Sequence, residues 1–187
     1  KLFKAERLCR EYLKHHPKHV EAMRLLALIG AKLHVLDDAE FLLESALEFD
    51  PNNFQVRTDY IGILQRRQKF SQALDQAKLI QESDPDQNSF QLIYANALAA
   101  AGKYDEALKL YLEELPKQPK NATLQMAMGH AYKTIGNQKK AVSSYENATK
   151  IRQDFGDAYW SLANLKTYKF SNKQIQALEK IVADEET

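Results

Sequence analysis

One cysteine, Cys9, stands alone among 187 residues. A single thiol cannot close an internal disulfide, so it reads as a reduced, packed side chain. Glycine is scarce as well, at six residues, and none has the upstream glycines that a phosphate cradle needs. No apolar run approaches the roughly 18 residues that span a bilayer, and no signal-peptide pattern opens the chain. A dominant charge is also missing. The formal net charge is +1, so no global field recruits nucleic acid or an anionic membrane. These absences point to an intracellular, cytoplasmic chain that partners neither nucleic acid nor membrane.

What is present is a period. Pro17, Pro51, Pro85 and Pro119 are each separated by 34 residues. Twelve residues before each stands Ala5, Ala39, Ala73 or Ala107, and Ala141 continues the row. A second small-residue row holds Ala27, Ala95, Gly129 and Ala163, with Ile61 as its exception. The clearest unit runs from Asn88 to Asn121, centred on Ala-Gly-Lys-Tyr-Asp-Glu-Ala-Leu at 101–108. Its two helical patterns place Leu92, Tyr94, Ala95 and Leu98, then Ala107, Leu108, Tyr111 and Leu115, on faces of helical spacing. Neither helix is long enough to stand alone in water, so each must bury its stripe on a neighbour.

In repeat length, helix period and punctuation the chain resembles the tetratricopeptide repeat family over nearly its whole length. The resemblance implies an all-α solenoid, a right-handed superhelix of antiparallel helix pairs with about eleven helices and the first helix of each pair inside. The expected divisions are a half repeat at 1–19, full repeats at 20–53, 54–87, 88–121 and 122–155, and a divergent terminal repeat at 156–187. Lys1 to Tyr12 reads as the second helix of a repeat, with Leu2, Ala5, Leu8 and Cys9 facing an absent partner, as in a fragment of a longer protein. Asp37, Ser71 and Ser171 are expected to cap helices. Gly30 should leave a thin spot in the packing, Glu114 stands where an alanine is usual, and Pro116 should end its helix near Leu115. The last helix should carry Ile175, Leu178, Ile181 and Val182 on one side.

Catalytic and metal chemistry find no foothold. His15, His16 and His19 are close in sequence, but Pro17 breaks the helix that would align them. His34 and His130 lie in different repeats, with no acidic or cysteine partner at a ligand spacing. Cys9 lies on a packing stripe without a motif partner for nucleophilic catalysis. Arg66-Arg67 with Lys69, and Lys139-Lys140, read as solvated faces near turns. No catalytic residue, metal site or cofactor is expected.

The resemblance also places a concave peptide-binding groove on the first helices. One row holds Leu28, Gly62, Asn96, His130 and Asn164; a second holds Arg24, Thr58, Leu92, Met126 and Trp160. Lys32, Arg66, Lys133 and Tyr168 flank them. Asn96 and Asn164 offer both a donor and an acceptor to a peptide bond, and are similar to the asparagine row of O-GlcNAc transferase; the other reading has them merely solvate the groove. Leu92, Met126 and Trp160 would give apolar pockets beside them. Trp160 either anchors a ligand or packs against a neighbour. Co-chaperones of this family clamp a carboxylate with lysine, asparagine and arginine. Here that pattern would fall on Arg24, Leu28 and Asp59, and an acid at the last is repulsive.

Gly156 to Ser171 resembles the last repeat before the catalytic domain in bacterial fusions of tetratricopeptide repeats to a sulfotransferase. The expected function is a non-catalytic scaffold binding a protein or extended peptide in the groove. The alternatives are an acceptor-positioning region of such an enzyme, whose catalytic domain is absent here, and an assembly scaffold self-associating through exposed repeat ends.

Overall fold

The computed structural model describes residues 1–185, apart from the side chains of Ala177 and of 180–185. Among these residues it contains eleven α-helices and no strand. The helices fall into two compact units, Lys1–Lys103 and Tyr104–Thr187. The first holds α1 (Leu2–His15), α2 (Val20–Lys32), α3 (Leu36–Phe49), α4 (Phe54–Arg66), α5 (Phe70–Ser83) and α6 (Asn88–Ala100). The second holds α7 (Tyr104–Glu114), α8 (Ala122–Thr134), α9 (Gln138–Ile151), α10 (Gly156–Ala163) and α11 (Asn172–Glu185). Among the described residues no helix is long and apolar enough to cross a membrane.

In the first unit each helix packs on the next in sequence, and α4 lies beside both α2 and α6. Three alternate helices therefore share one wall. The seams are made by alanines with no exposed surface: Ala27, Ala39, Ala46, Ala73 and Ala77. Leu43, Val56 and Leu64 fill the space between them, also fully buried. Each large side chain of this kind contributes about 1.5–3 kcal/mol by leaving water. In the second unit α8 packs on α7 and α9, and α9 on α10. Ala107, Ala141 and Ala148 are fully buried there, as are Tyr145 and Leu162.

The turns repeat a single device. His34, Gln68, Gly102 and Gly136 all have positive φ, between 60° and 81°. The N–H after each reaches back to a carbonyl five residues earlier: Val35 to Gly30, Lys69 to Leu64, Lys103 to Leu98 and Asn137 to Tyr132, at 2.8–2.9 Å. This left-handed close satisfies carbonyls that the helix end leaves open. Glycine adopts it without strain; His34 and Gln68 do so at a cost of order 1 kcal/mol.

Several local expectations need correction. Asp37 and Ser71 cap nothing: α3 and α5 begin after Val35 and Lys69 without a side-chain cap. Asp37 instead pairs with Arg67. The first-helix caps are His19, Asn53 and Asn121, whose side chains accept from the amides of Ala22, Val56 and Leu124. Ser171 does cap α11, since its Oγ accepts from the Gln174 amide while Gln174 Oε1 takes the Ser171 N–H at 2.9 Å. Helix α7 ends at Glu114, ahead of Pro116. Glu114 itself is 2 % exposed, with Oε1 on the Lys117 ammonium at 2.6 Å and Oε2 buried without a hydrogen-bond partner. Ala163 is exposed rather than packed, and so is Ile175, while Leu178 is half-buried. Ile181 and Val182 lie outside the described side chains. Leu2 and Leu8 are exposed, and Cys9 is half-buried.

Two glycines make opposite demands. Gly30 borders a cavity of about 70 Å³ with Leu26, Val35 and Ala39, and a methyl there would meet its nearest atom, Val35 O, at 3.5 Å. Gly129 lies under the Tyr145 ring, where a methyl would come within 2.5 Å of Cδ1. Gly30→Ala should stabilise the chain by about 1 kcal/mol through helix propensity. Gly129→Ala should destabilise it by about 1–3 kcal/mol by displacing a fully packed ring. Urea unfolding of both variants checks the contrast, and equal shifts of one sign would refute it.

Candidate functional site

The wall of α2 and α4 encloses a pocket of about 510 Å³. Five of the expected groove residues, Leu28, Lys32, Thr58, Gly62 and Arg66, line it together. Leu25, Ile29 and Ile63 make its floor, and Gly62 opens it, since a Cβ there would meet no atom within 4 Å. Arg66 donates from Nη2 to the Ala31 carbonyl at 2.9 Å, which fixes the guanidinium at the rim. Lys32 is exposed beside it. The result is an apolar trough with two cations at one edge, a form suited to an extended chain that carries apolar and acidic side chains.

Arg24 is placed differently. Its side chain is 13 % exposed, and the guanidinium is held between Glu21 (2.7 Å) and Asp59 (2.7 Å). Its pKa is raised further above the ordinary arginine value, first by the hydrogen bond to Glu21 and then by that to Asp59. With its charge so engaged, Arg24 shapes the wall more than it offers a hand to a ligand. Asp59 lines the pocket as well; sequence reasoning noticed it only as a repulsive acid and missed its partner 35 residues upstream. The repeat period is the signal that could have found it, because adjacent repeats set such positions side by side. Leu92 is half-buried and Asn96 exposed, both on α6 and neither lining this pocket.

The six expected residues of the second unit do not assemble in the same way. Met126 is 8 % exposed, so it belongs to the packing and presents little surface. Trp160 is 66 % exposed. Lys133 and Asn164 are exposed, and Asn164 sits one position past α10, its N–H bonded to Trp160 O at 2.9 Å. Helix α10 spans eight residues and gives way at Lys166, with φ 59°. Tyr168 is therefore off the helical face on which the register placed it. Its hydroxyl donates instead to Glu146 of α9 at 2.8 Å.

His130 keeps the expected helix but turns its ring to the partner helix, with Nδ1 3.0 Å from the Tyr145 hydroxyl. Burial lowers its pKa below the ordinary histidine value, with Lys133 adding to the effect and Asp157 opposing it. Burial likewise pushes the Tyr145 hydroxyl up to about 12. The two groups are a neutral hydrogen-bonded pair at pH 7. Two members of the basic run at 66–69 are absorbed locally: Arg67 and Lys69 both bind the buried carboxylate of Glu40, the lysine at 2.6 Å. Among the described residues no three His, Cys, Asp or Glu side chains form a group that could hold a metal.

Family models described as tetratricopeptide repeat match residues 63–122 and 122–155. No protein of curated function matches the chain. Among solved structures, the chain is similar to MamA, residues 41 to the end, from Desulfovibrio magneticus RS-1, with 14 % identity over 82 % of this chain and 87 % of that one, TM-score 0.70. It is also similar to YrrB, described as a TPR protein with an unusual peptide-binding site, with 19 % identity over 86 % of this chain and 82 % of that one, TM-score 0.67. The fold is accordingly an all-α tetratricopeptide solenoid, and the sequence carries tetratricopeptide repeats.

The His130 pair gives a test with a definite sign. The unfolded chain takes up a proton on this histidine near pH 6.5, and the folded chain only at lower pH. The unfolded state binds more protons in that window, so stability present above about pH 6.5 declines as the pH falls toward the folded pKa. His130→Gln should flatten the loss of stability between pH 7.5 and 5.5, read as the difference in urea midpoints from the parent chain. An unchanged pH slope would mean that His130 is not held neutral.

Proposed function

We propose that this chain is a non-catalytic scaffold that binds an extended peptide segment of a partner protein along the wall of its first helices. The observation that carries this reading is the α2–α4 pocket, where Leu28, Lys32 and Arg66 meet over an apolar floor. A groove of this kind gains affinity from buried apolar side chains and register from the charged rim. The peptide-binding site named for YrrB supports the reading by analogy of fold. Leu92 and Asn96, in the same unit, are proposed as further contacts, and Trp160 and Asn164 as contacts offered separately by the second unit. The acceptor-positioning role beside a sulfotransferase domain rests on the 156–171 stretch alone and remains the alternative.

Gly62 allows a test, because a Cβ added there would meet no atom within 4 Å. Peptides selected from a random display library on the parent chain should bind Gly62→Leu at least about tenfold more weakly, since the apolar anchor loses its place. The same variant should melt no lower, as leucine exceeds glycine in helix propensity by about 1 kcal/mol. Failure to select any peptide, or equal binding by the filled variant, would overturn the proposal.

The asparagine pair is tested separately. Asn96→Ala and Asn164→Ala, made one at a time, should each weaken the selected peptides by about 1 kcal/mol per lost hydrogen bond. Unchanged affinity by calorimetry would remove the asparagines from the site and leave the pocket standing.

A further inference from the structure

A second concavity, of about 630 Å³, lies in the second unit between α9 and the segment that leads into α11. Its lining includes three lysines, Lys150, Lys169 and Lys173, against one acidic residue, Glu146. All three lysines are exposed, and among the described residues none forms an ion pair. Glu146 does not offset them freely, because its Oε1 already accepts the Tyr168 hydroxyl at 2.8 Å. Tyr168 in turn accepts from Gln174 Nε2 at 2.8 Å. This chain of hydrogen bonds ties α11 to α9 and fixes the shape of the pocket before any ligand arrives.

The local charge of the pocket is thus +2 in a protein whose total is +1. Three like charges lining one cavity repel one another, and an anion bound there reduces that repulsion. A single carboxylate would leave half of the charge uncompensated; a phosphoryl group, at about −1.5 to −2 near neutral pH, matches it. Lysine suits such a group as a mobile point charge with three donors. The volume greatly exceeds that of one phosphate, leaving room for the molecule to which the phosphoryl group is attached. The amino end of α11 contributes nothing to this argument, since Ser171 and Gln174 already cap it.

We propose that this pocket binds a phosphoryl group carried on a larger molecule, either a phosphorylated side chain of a protein or a small phosphate ester. It stands apart from the α2–α4 pocket and does not depend on the peptide-groove reading. Calorimetry on the full chain tests it with a degenerate phosphoserine peptide library, the same library carrying serine or glutamate instead, and phenyl phosphate. The phosphoserine library should bind and the serine library should not. Replacing the three lysines together (Lys150→Gln, Lys169→Gln, Lys173→Gln) should weaken that binding at least about tenfold, with little change in melting temperature because all three side chains are exposed. Tighter binding of the phosphopeptides than of phenyl phosphate would identify a protein source, and the reverse a small ester. Equal binding of the glutamate library, equal binding by the triple variant, or no binding of either phosphate probe would each overturn the proposal.

Discussion

The structure depends on how closely its helices can approach. No described helix exceeds 14 residues, a length at which an isolated helix is marginal in water. Each is therefore helical only because it is packed. What permits the packing is a small side chain at the crossing points, where Ala39, Ala73, Ala107 and Ala141 are all fully buried. A larger residue there would hold two backbones apart and expose the leucines and tyrosines on either side. The second unit takes the constraint to its limit at Gly129, where an aromatic ring lies directly on the backbone. The ring's hydroxyl then needs a partner, and His130, the next residue, supplies it.

This constraint explains what could be read from the sequence. Alanine at crossings and a left-handed residue at turns recur because every repeat solves the same steric problem, so the 34-residue period, the all-α class and the number of helices were legible. The caps were not. His19, Asn53 and Asn121 occupy one register position, but a histidine there looks like a metal ligand when it stands near His15 and His16. Asp37 and Ser71 resemble caps by type, yet they fall inside the first turns of their helices, where the carboxylate is free to take Arg67. His34 and Gln68 hide two turns because nothing in those side chains announces a positive φ.

The candidate groove was legible where the helix it was drawn on persists. Leu28, Lys32 and Arg66 come together because α2 and α4 are intact and adjacent. Register counting failed at Tyr168 because α10 ends at Ala163, and a count along a helix means nothing beyond the helix. It also failed at Met126, where spacing gives the direction of a side chain but not the depth of the surface around it.

Electrostatics shows the same division between what repeats and what does not. A net charge near zero excludes a global field, yet it is compatible with strong local imbalance. Arg67 and Lys69 are consumed by Glu40 and Asp37, so that pair is structural. In the α9–α11 pocket the ratio is reversed, with one engaged carboxylate among three lysines. In sequence the first is a short basic patch near a turn, whereas Lys150, Lys169 and Lys173 are scattered and no run announces them. The difference is whether the next helix presents an acid at the right height, which only the packed structure decides. Because the alanine seams carry the fold, the polar faces are released from structural duty, and a cation left without an acid on such a face is surface available for recognition.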